Sequence, residues 1–223
     1  MKTPVTRESL AQHFTYNWWK YLLCAVLAFG IVDILYAVTA PRTPEEKKVE
    51  FYVDGYADQD LLDAYMETVR VTEMPDMVEM SSITMLADDQ YGQIQLTTYL
   101  AVREGDLYLL PRDEFITAAA TGFFVPLEED QELMDLFTER GINLQSGWRR
   151  MDATGETHLY GIPASKLPGL SAYCYQTNDA YLCILVGSGN EDNTELFLRI
   201  LCRDMIDPPE AVPQEATEEE PAA

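Results

Sequence analysis

The chain changes its hydrophobic rhythm once. Tyr21 to Ala40 runs apolar, with Asp33 as its one charged member. A helix of that length is about 30 Å long, the thickness of a bilayer's hydrocarbon core. Beyond Lys48 the rhythm breaks into short periods. Val49–Val53 predicts a strand, and Gly55 a turn. Asp58–Arg70 spaces Leu61, Leu62, Tyr65, Met66 and Val69 as an amphipathic helix does. Met77–Leu86 contains a second strand. Tyr91–Val102 is a second helix, with Ile94, Leu96, Tyr99 and Leu100 toward the core. Leu107–Leu110 is a continuous apolar strand, the kind a parallel sheet covers on both faces. Arg112–Thr121 and Glu132–Arg140 are further helices, stopped by Gly122 and Gly141. Three βα steps in a row predict a parallel sheet with helices on both faces. The closing part differs. His158–Ile162 is a strand, and Ser171–Gln176 and Tyr181–Val186 form a hairpin around Asn178-Asp179. The last helix starts near Asp192, where Asp192-Asn193-Thr194-Glu195 fits a capping box. The expected fold is α/β: one three-layer domain with a mainly parallel sheet and an antiparallel edge, preceded by one transmembrane helix.

The apolar run reads as a retained anchor. A signal-peptide core is shorter, about 7–15 residues. Val38 and Ala40 suit a cleavage site, but Pro41 would follow it. Leu22-Leu23-Cys24 resembles a lipobox yet stands at the wrong end of the run. Trp18, Trp19, Tyr21 and Tyr36 suit the two interfaces. The expected organisation is a cytoplasmic segment (1–20), the span (21–40), a linker (41–48), an extracellular domain (49–205) and a disordered acidic tail (206–223).

Charge decides orientation where flanking cations do not. The chain has 15 Lys/Arg against 38 Asp/Glu, a net charge of −23. From Val49 onward the count is 9 against 34. Such a surface repels nucleic acid and anionic lipid, so no nucleic-acid partner is expected. It places the domain outside the cell membrane, with the amino terminus cytoplasmic. Asp33, a carboxylate in hydrocarbon, has two readings: a contact with a partner helix, near Gly30, or an acid reaching toward headgroups.

Candidate chemistry is sparse. His13 is cytoplasmic, and His158 stands alone. No zinc-type spacing is present. Ser188–Asn193 lacks the alternation of a calcium loop. No enzyme, cofactor or metal site is expected. The hairpin register sets Cys174 opposite Cys183. A cross-strand disulfide and two buried free thiols both stay open, and Cys202 has no mate. A binding site in such a sheet lies at the carboxyl ends of its strands. That selects Asp54-Gly55-Tyr56, Asp88-Asp89-Gln90-Tyr91 and Pro111-Arg112-Asp113. Tyr56 and Tyr91 would stack on a ligand, beside Asp88, and Arg112 would hold a carboxylate. Ordinary turn and cap chemistry is the competing reading. Trp148 with Arg149 and Arg150 is the domain's basic-aromatic spot, either a partner-docking surface or a loop packed on the core.

Four segments taken in order carry a resemblance. Arg103–Phe115 (REGDLYLLPRDEF), Thr121–Asp130 (TGFFVPLEED), Leu159–Ser165 (LYGIPAS) and Asn190–Cys202 (NEDNTELFLRILC) resemble the extracellular solute-binding proteins of ABC transporters. The resemblance places Gly105-Asp106 at the third strand, Gly122–Leu127 at the turn after its helix, and Tyr160–Pro163 at the entry to the crossover. It implies a periplasmic-binding-protein-like lobe. Between Glu128 and Glu156 there is no room for the second lobe such proteins close over a ligand. The expected function is therefore a membrane-anchored interaction module, docking on a membrane or extracellular protein such as a transporter permease. Small-molecule solute binding, for transport or sensing, is the alternative. A Gram-positive source fits the resemblance.

Overall fold

Strand β1 (Lys48–Asp54) turns Val49, Phe51 and Val53 to one side and Tyr52 to the other, and both sides are buried. That alternation sets up three layers, because a strand apolar on both faces needs cover on both. The structure, a computed structural model, describes residues 7–39, 43–86, 90–175 and 177–207. It divides into two units, one up to Arg42 and one from Thr43.

The first unit contains helix α1 (Arg7–Thr39), of which Trp18–Tyr36 is long and apolar enough to cross a membrane. The apolar side chains of Trp18–Tyr36 are exposed. Trp18 and Trp19 meet edge to face, with ring centroids 6.2 Å apart.

In the second unit the strands are β1, β2 (Glu79–Met85), β3 (Leu107–Pro111), β4 (Trp148–Arg150), β5 (Thr157–Leu159), β6 (Ile162–Pro163) and β7 (Ala180–Ile184). The main sheet runs β2-β1-β3-β7-β6. β1 is parallel to β2 and β3, whereas β7 is antiparallel to β3 and β6. β4 and β5 pair separately. The helices are α2 (Gln59–Thr72), α3 (Gln90–Val102), α4 (Arg112–Ala120), α5 (Gln131–Glu139) and α6 (Glu191–Ile206). α2, α5 and α6 pack with Phe51, Leu107 and Leu182 on one face. α3 and α4 pack with Tyr52, Tyr108 and Tyr181 on the other. The domain is thus mixed α/β with a mainly parallel sheet and an antiparallel edge. Ile94, expected in the core, is exposed; Leu96 and Leu100 are buried.

Local chemistry fixes the helix starts. Asp58 accepts the Leu61 N–H at 3.2 Å, and Asp130 accepts the Leu133 N–H at 3.1 Å, both side-chain caps. α6 begins one residue ahead of the Asp192 box. Asn190 is its cap residue, and the Asn190 side chain instead donates to Lys48 O at 2.5 Å. α2 also closes the open edge of β2. Asp63 Oδ1 accepts both the N–H and the hydroxyl of Ser82 at 2.7 Å, and Gln59 Nε2 donates to Ser82 O at 2.8 Å. An edge strand whose free groups are taken this way is a poor template for another chain.

The expected hairpin does not form. Pro168–Ala172 makes a 3-10 turn, and Thr177–Asp179 makes another just before β7. All five residues of β7 are buried, which suits an inner strand between β3 and β6 and not the outer arm of a hairpin. Cys183 lies opposite Tyr108, while Cys174 makes a lone bridge with Ala57 and packs in the other core cluster. The cross-strand disulfide is therefore corrected: both thiols are free. The His158–Ile162 strand also splits. Tyr160 N donates to Gly147 O at 3.2 Å, and a Cβ on Gly147 would fall 1.8 Å from Gly161 O. Two backbones touch there, so the chain leaves β4 and joins β7 two residues later.

Candidate functional site

β1 leads into α2 on one face of the sheet, whereas β3 leads into α4 on the other. The carboxyl ends of β1 and β3 therefore diverge, and adjacent loops that part to opposite faces leave a crevice. A cleft of about 410 Å³ lies there. Val53, Leu109 and Ala180, at the strand ends, form its apolar floor. Asp54, Gly55 and Tyr56 enter from the β1–α2 turn, and Arg112, Asp113 and Glu114 from the first turn of α4. Tyr175, Thr177 and Asp179 enter from the segment before β7.

Backbone hydrogen bonds hold these walls. Gly55 N donates to Met85 O at 2.9 Å, Tyr175 N to Tyr56 O at 2.7 Å, and Asp58 N to Tyr173 O at 2.8 Å. Gly55 takes a φ of 148°, which an L side chain rarely adopts. Pro111 is the cap residue of α4 and supplies no side-chain cap. The amino end of α4 thus opens on the cleft with backbone donors to offer. The wall chemistry combines carboxylates, one guanidinium, helix-start N–H groups and two exposed tyrosine rings. That set can hold a ligand with both donor and acceptor groups and a flat or aliphatic body.

Of the residues selected from sequence, Tyr56 and Arg112 line this cleft together. Tyr91 opens α3 and stands exposed, outside the lining. Asp88 lies outside the described residues. Asp33 belongs to α1, in the other unit. Trp148 is half-buried against the core. The Arg149 guanidinium lies 5.3 Å over the Phe115 ring and 5.8 Å over the Tyr181 ring, and Nη1 donates to Trp148 O at 2.7 Å. The basic-aromatic spot is thus engaged within the fold. Tyr175 and Asp179 are not legible from the sequence, because local composition predicts a hairpin across their segment. Among the described residues, no three His, Cys, Asp or Glu side chains gather as a metal site. His158 has a carboxylate neighbour: Nδ1 lies 2.5 Å from Glu128 Oε1, while Glu128 Oε2 accepts the Leu159 N–H at 2.9 Å. That hydrogen bond is the main reason its pKa is raised above 6.5.

No protein-family model matches the chain, and no curated protein is significantly similar to it in sequence. In structure it is similar to an extracellular solute-binding protein of family 1 from Alicyclobacillus acidocaldarius, with 17% identity and a TM-score of 0.38. That match covers 55% of this chain and 29% of the other. An uncharacterised protein from Listeria monocytogenes is similar at 16% identity and a TM-score of 0.39, over 52% of this chain and 28% of its own. This chain spans less than a third of either. Likeness that remote carries no ligand, transport role or partner over to it.

Proposed function

We propose that the chain is a membrane-tethered binding module that takes a small polar ligand at the carboxyl ends of β1 and β3. The observation that carries this reading is the cleft at the divergence of β1 and β3. Its volume, about 410 Å³, falls within the size range of small-ligand sites. The backbone latches around it mean that little ordering is left to be done on binding. Tyr56 and Tyr175 supply stacking walls. Arg112 and the start of α4 receive an acceptor group, and Asp54 and Asp179 receive a donor. The tether reading rests on α1. Over Trp18–Tyr36 it is apolar apart from Lys20 near one end and Asp33 near the other, and such a helix belongs either in a core or in a bilayer.

The test is a thermal-shift screen of the full chain in detergent, against sugars, amino acids and polyamines. A ligand that binds only the folded state at a hundred times its Kd adds about 2.7 kcal/mol. The expected result is a saturable shift that Tyr56→Ala and Arg112→Ala abolish without changing the ligand-free midpoint. Absence of a saturable shift across the panel, or a shift both variants retain, would sink the ligand reading. Flotation of the chain with lipid vesicles tests the tether separately.

A further inference from the structure

α3 leaves large apolar side chains exposed on the side away from the sheet. Its sequence, QYGQIQLTTYLAV, contains no charged residue. Gly92, Leu96 and Leu100 are buried toward the sheet. On the outer side Tyr91 is 83% exposed, Ile94 56% and Val102 60%, with Thr98 and Ala101 between them. Gln93, Gln95 and Thr97 are exposed as well, so this side is uncharged but mixed, with large apolar side chains standing among amides and hydroxyls.

We infer that the outer face of α3 is a contact for α3 of a second copy of this chain. Charge selects that occupant. With 34 Asp/Glu against 9 Lys/Arg from Val49 onward, two copies repel each other over most of their surfaces. Among the described α-helices of the domain, α3 alone carries no charged residue, so like copies meet there at lower electrostatic cost than on the other α-helices. A basic partner would find stronger attraction on other parts of the domain. Shape agrees. Beside the exposed ridge runs a groove of about 450 Å³ between α3 and α4, with Leu96, Leu100, Ala118 and Phe123 in its lining and the acids Asp113 and Glu114 confined to its α4 wall. A ridge and a groove on one face are self-complementary under two-fold symmetry: Ile94 of each copy enters the groove of the other.

The contact is weak by itself. A 13-residue helix is about 20 Å long and covers a few hundred Å², well under the roughly 800 Å² per partner of a stable interface. It closes where copies are held at high local concentration, and the bilayer tether proposed above supplies that.

The experiment uses the full chain in phosphatidylcholine vesicles, in a Cys24→Ser background because Cys24 is an exposed free thiol, with Thr98→Cys as a cross-linking probe on α3 and Thr138→Cys as an exposed control on α5. The expected result is several-fold more oxidative dimer from T98C than from T138C, and its loss when Ile94→Glu is added. Ile94→Glu alone should leave the melting midpoint unchanged. Equal cross-linking at both positions, or dimer that survives Ile94→Glu, overturns the inference. If the chain fails to float with the vesicles, the tether is wrong. The same comparison in concentrated detergent-free solution then decides the α3 contact.

Discussion

Replacing Asp106 with asparagine should stabilise the domain, and more at pH 8 than at pH 5. Asp106 is buried just before β3. Its Oδ2 accepts the Glu50 N–H at 2.9 Å, and its carbonyl accepts the Leu185 N–H at 2.9 Å. Burial is the main cause that lifts its pKa from 3.8 to about 6, and the charge of Glu50 adds to the lift. The Glu50 N–H, the Ser188 hydroxyl and Lys48 pull the other way. A folded-state pKa above the unfolded one means the native chain holds the extra proton between about pH 4 and pH 6. Stability therefore falls as pH rises through that window, and the full cost is present above it. Two pKa units correspond to about 3 kcal/mol at pH 8, and about half of that at pH 5. Asparagine keeps a carbonyl acceptor for Glu50 and removes the charge. Its new NH₂ group must find a partner, an offset of about 1 kcal/mol. The expected net gain is about 2 kcal/mol at pH 8 and little at pH 5. Urea unfolding of the full chain in detergent, followed by circular dichroism at both pH values, measures it. A gain independent of pH, or a loss of stability at pH 8, would refute the reasoning.

Other outcomes follow from single contacts. Asp63→Ala strands the N–H and hydroxyl of buried Ser82 and should cost about 2 kcal/mol; an unchanged urea midpoint would mean that water replaces the carboxylate. Gly105→Ala places a Cβ 2.3 Å from the Tyr52 ring at a φ of 78° and should cost about 2–3 kcal/mol by the same assay; a wild-type midpoint would contradict the close approach. Burial pushes the Cys174 thiol up to about 12 and raises that of Cys183 as well, so iodoacetamide should label neither before unfolding, and dithiothreitol should leave the midpoint unchanged. In an NMR titration His158 should ionise above its ordinary 6.5, and Glu128→Gln should bring it back down.

Much of this fold could be read from period alone. Leu62, Met66 and Val69 recur at helical spacing, and all three are buried. The continuous apolar run of β3 does lie covered on both faces. The failures share one cause: what decided them was distant in sequence. Ser171–Gln176 reads as a strand by local composition, but the backbone of Tyr56 and Asp58, more than a hundred positions earlier, takes the hydrogen bonds of Tyr173 and Tyr175. Once that segment is held against the β1–α2 turn, β7 is left to pair with β3. Ile94 stands two residues from Leu96, about 200° around the helix, so the register that buries Leu96 and Leu100 turns it away from the sheet. For the cleft, the rule about strand carboxyl ends selected Tyr56 and Arg112, since it needs strand order alone. It could not select Tyr175, which the Tyr56 carbonyl holds at the cleft, or Asp179, which arrives there because β7 pairs antiparallel to β3.

The two proposed surfaces meet at one turn of helix. Asp113 and Glu114 line both the cleft at β1 and β3 and the groove beside α3. A substitution at either residue would therefore change ligand binding and self-association together and could not tell them apart. Tyr56 and Asp179 belong to the cleft alone, while Thr97 and Thr117 belong to the groove alone. Independent surfaces require Tyr56→Ala to leave T98C cross-linking unchanged, and Ile94→Glu to leave the ligand-induced shift unchanged. If each variant instead moved the other's readout, the first turn of α4 would be the element through which the two sites communicate. The start of α4 at Pro111 has no side-chain cap, and an uncapped first turn is held less firmly than a capped one.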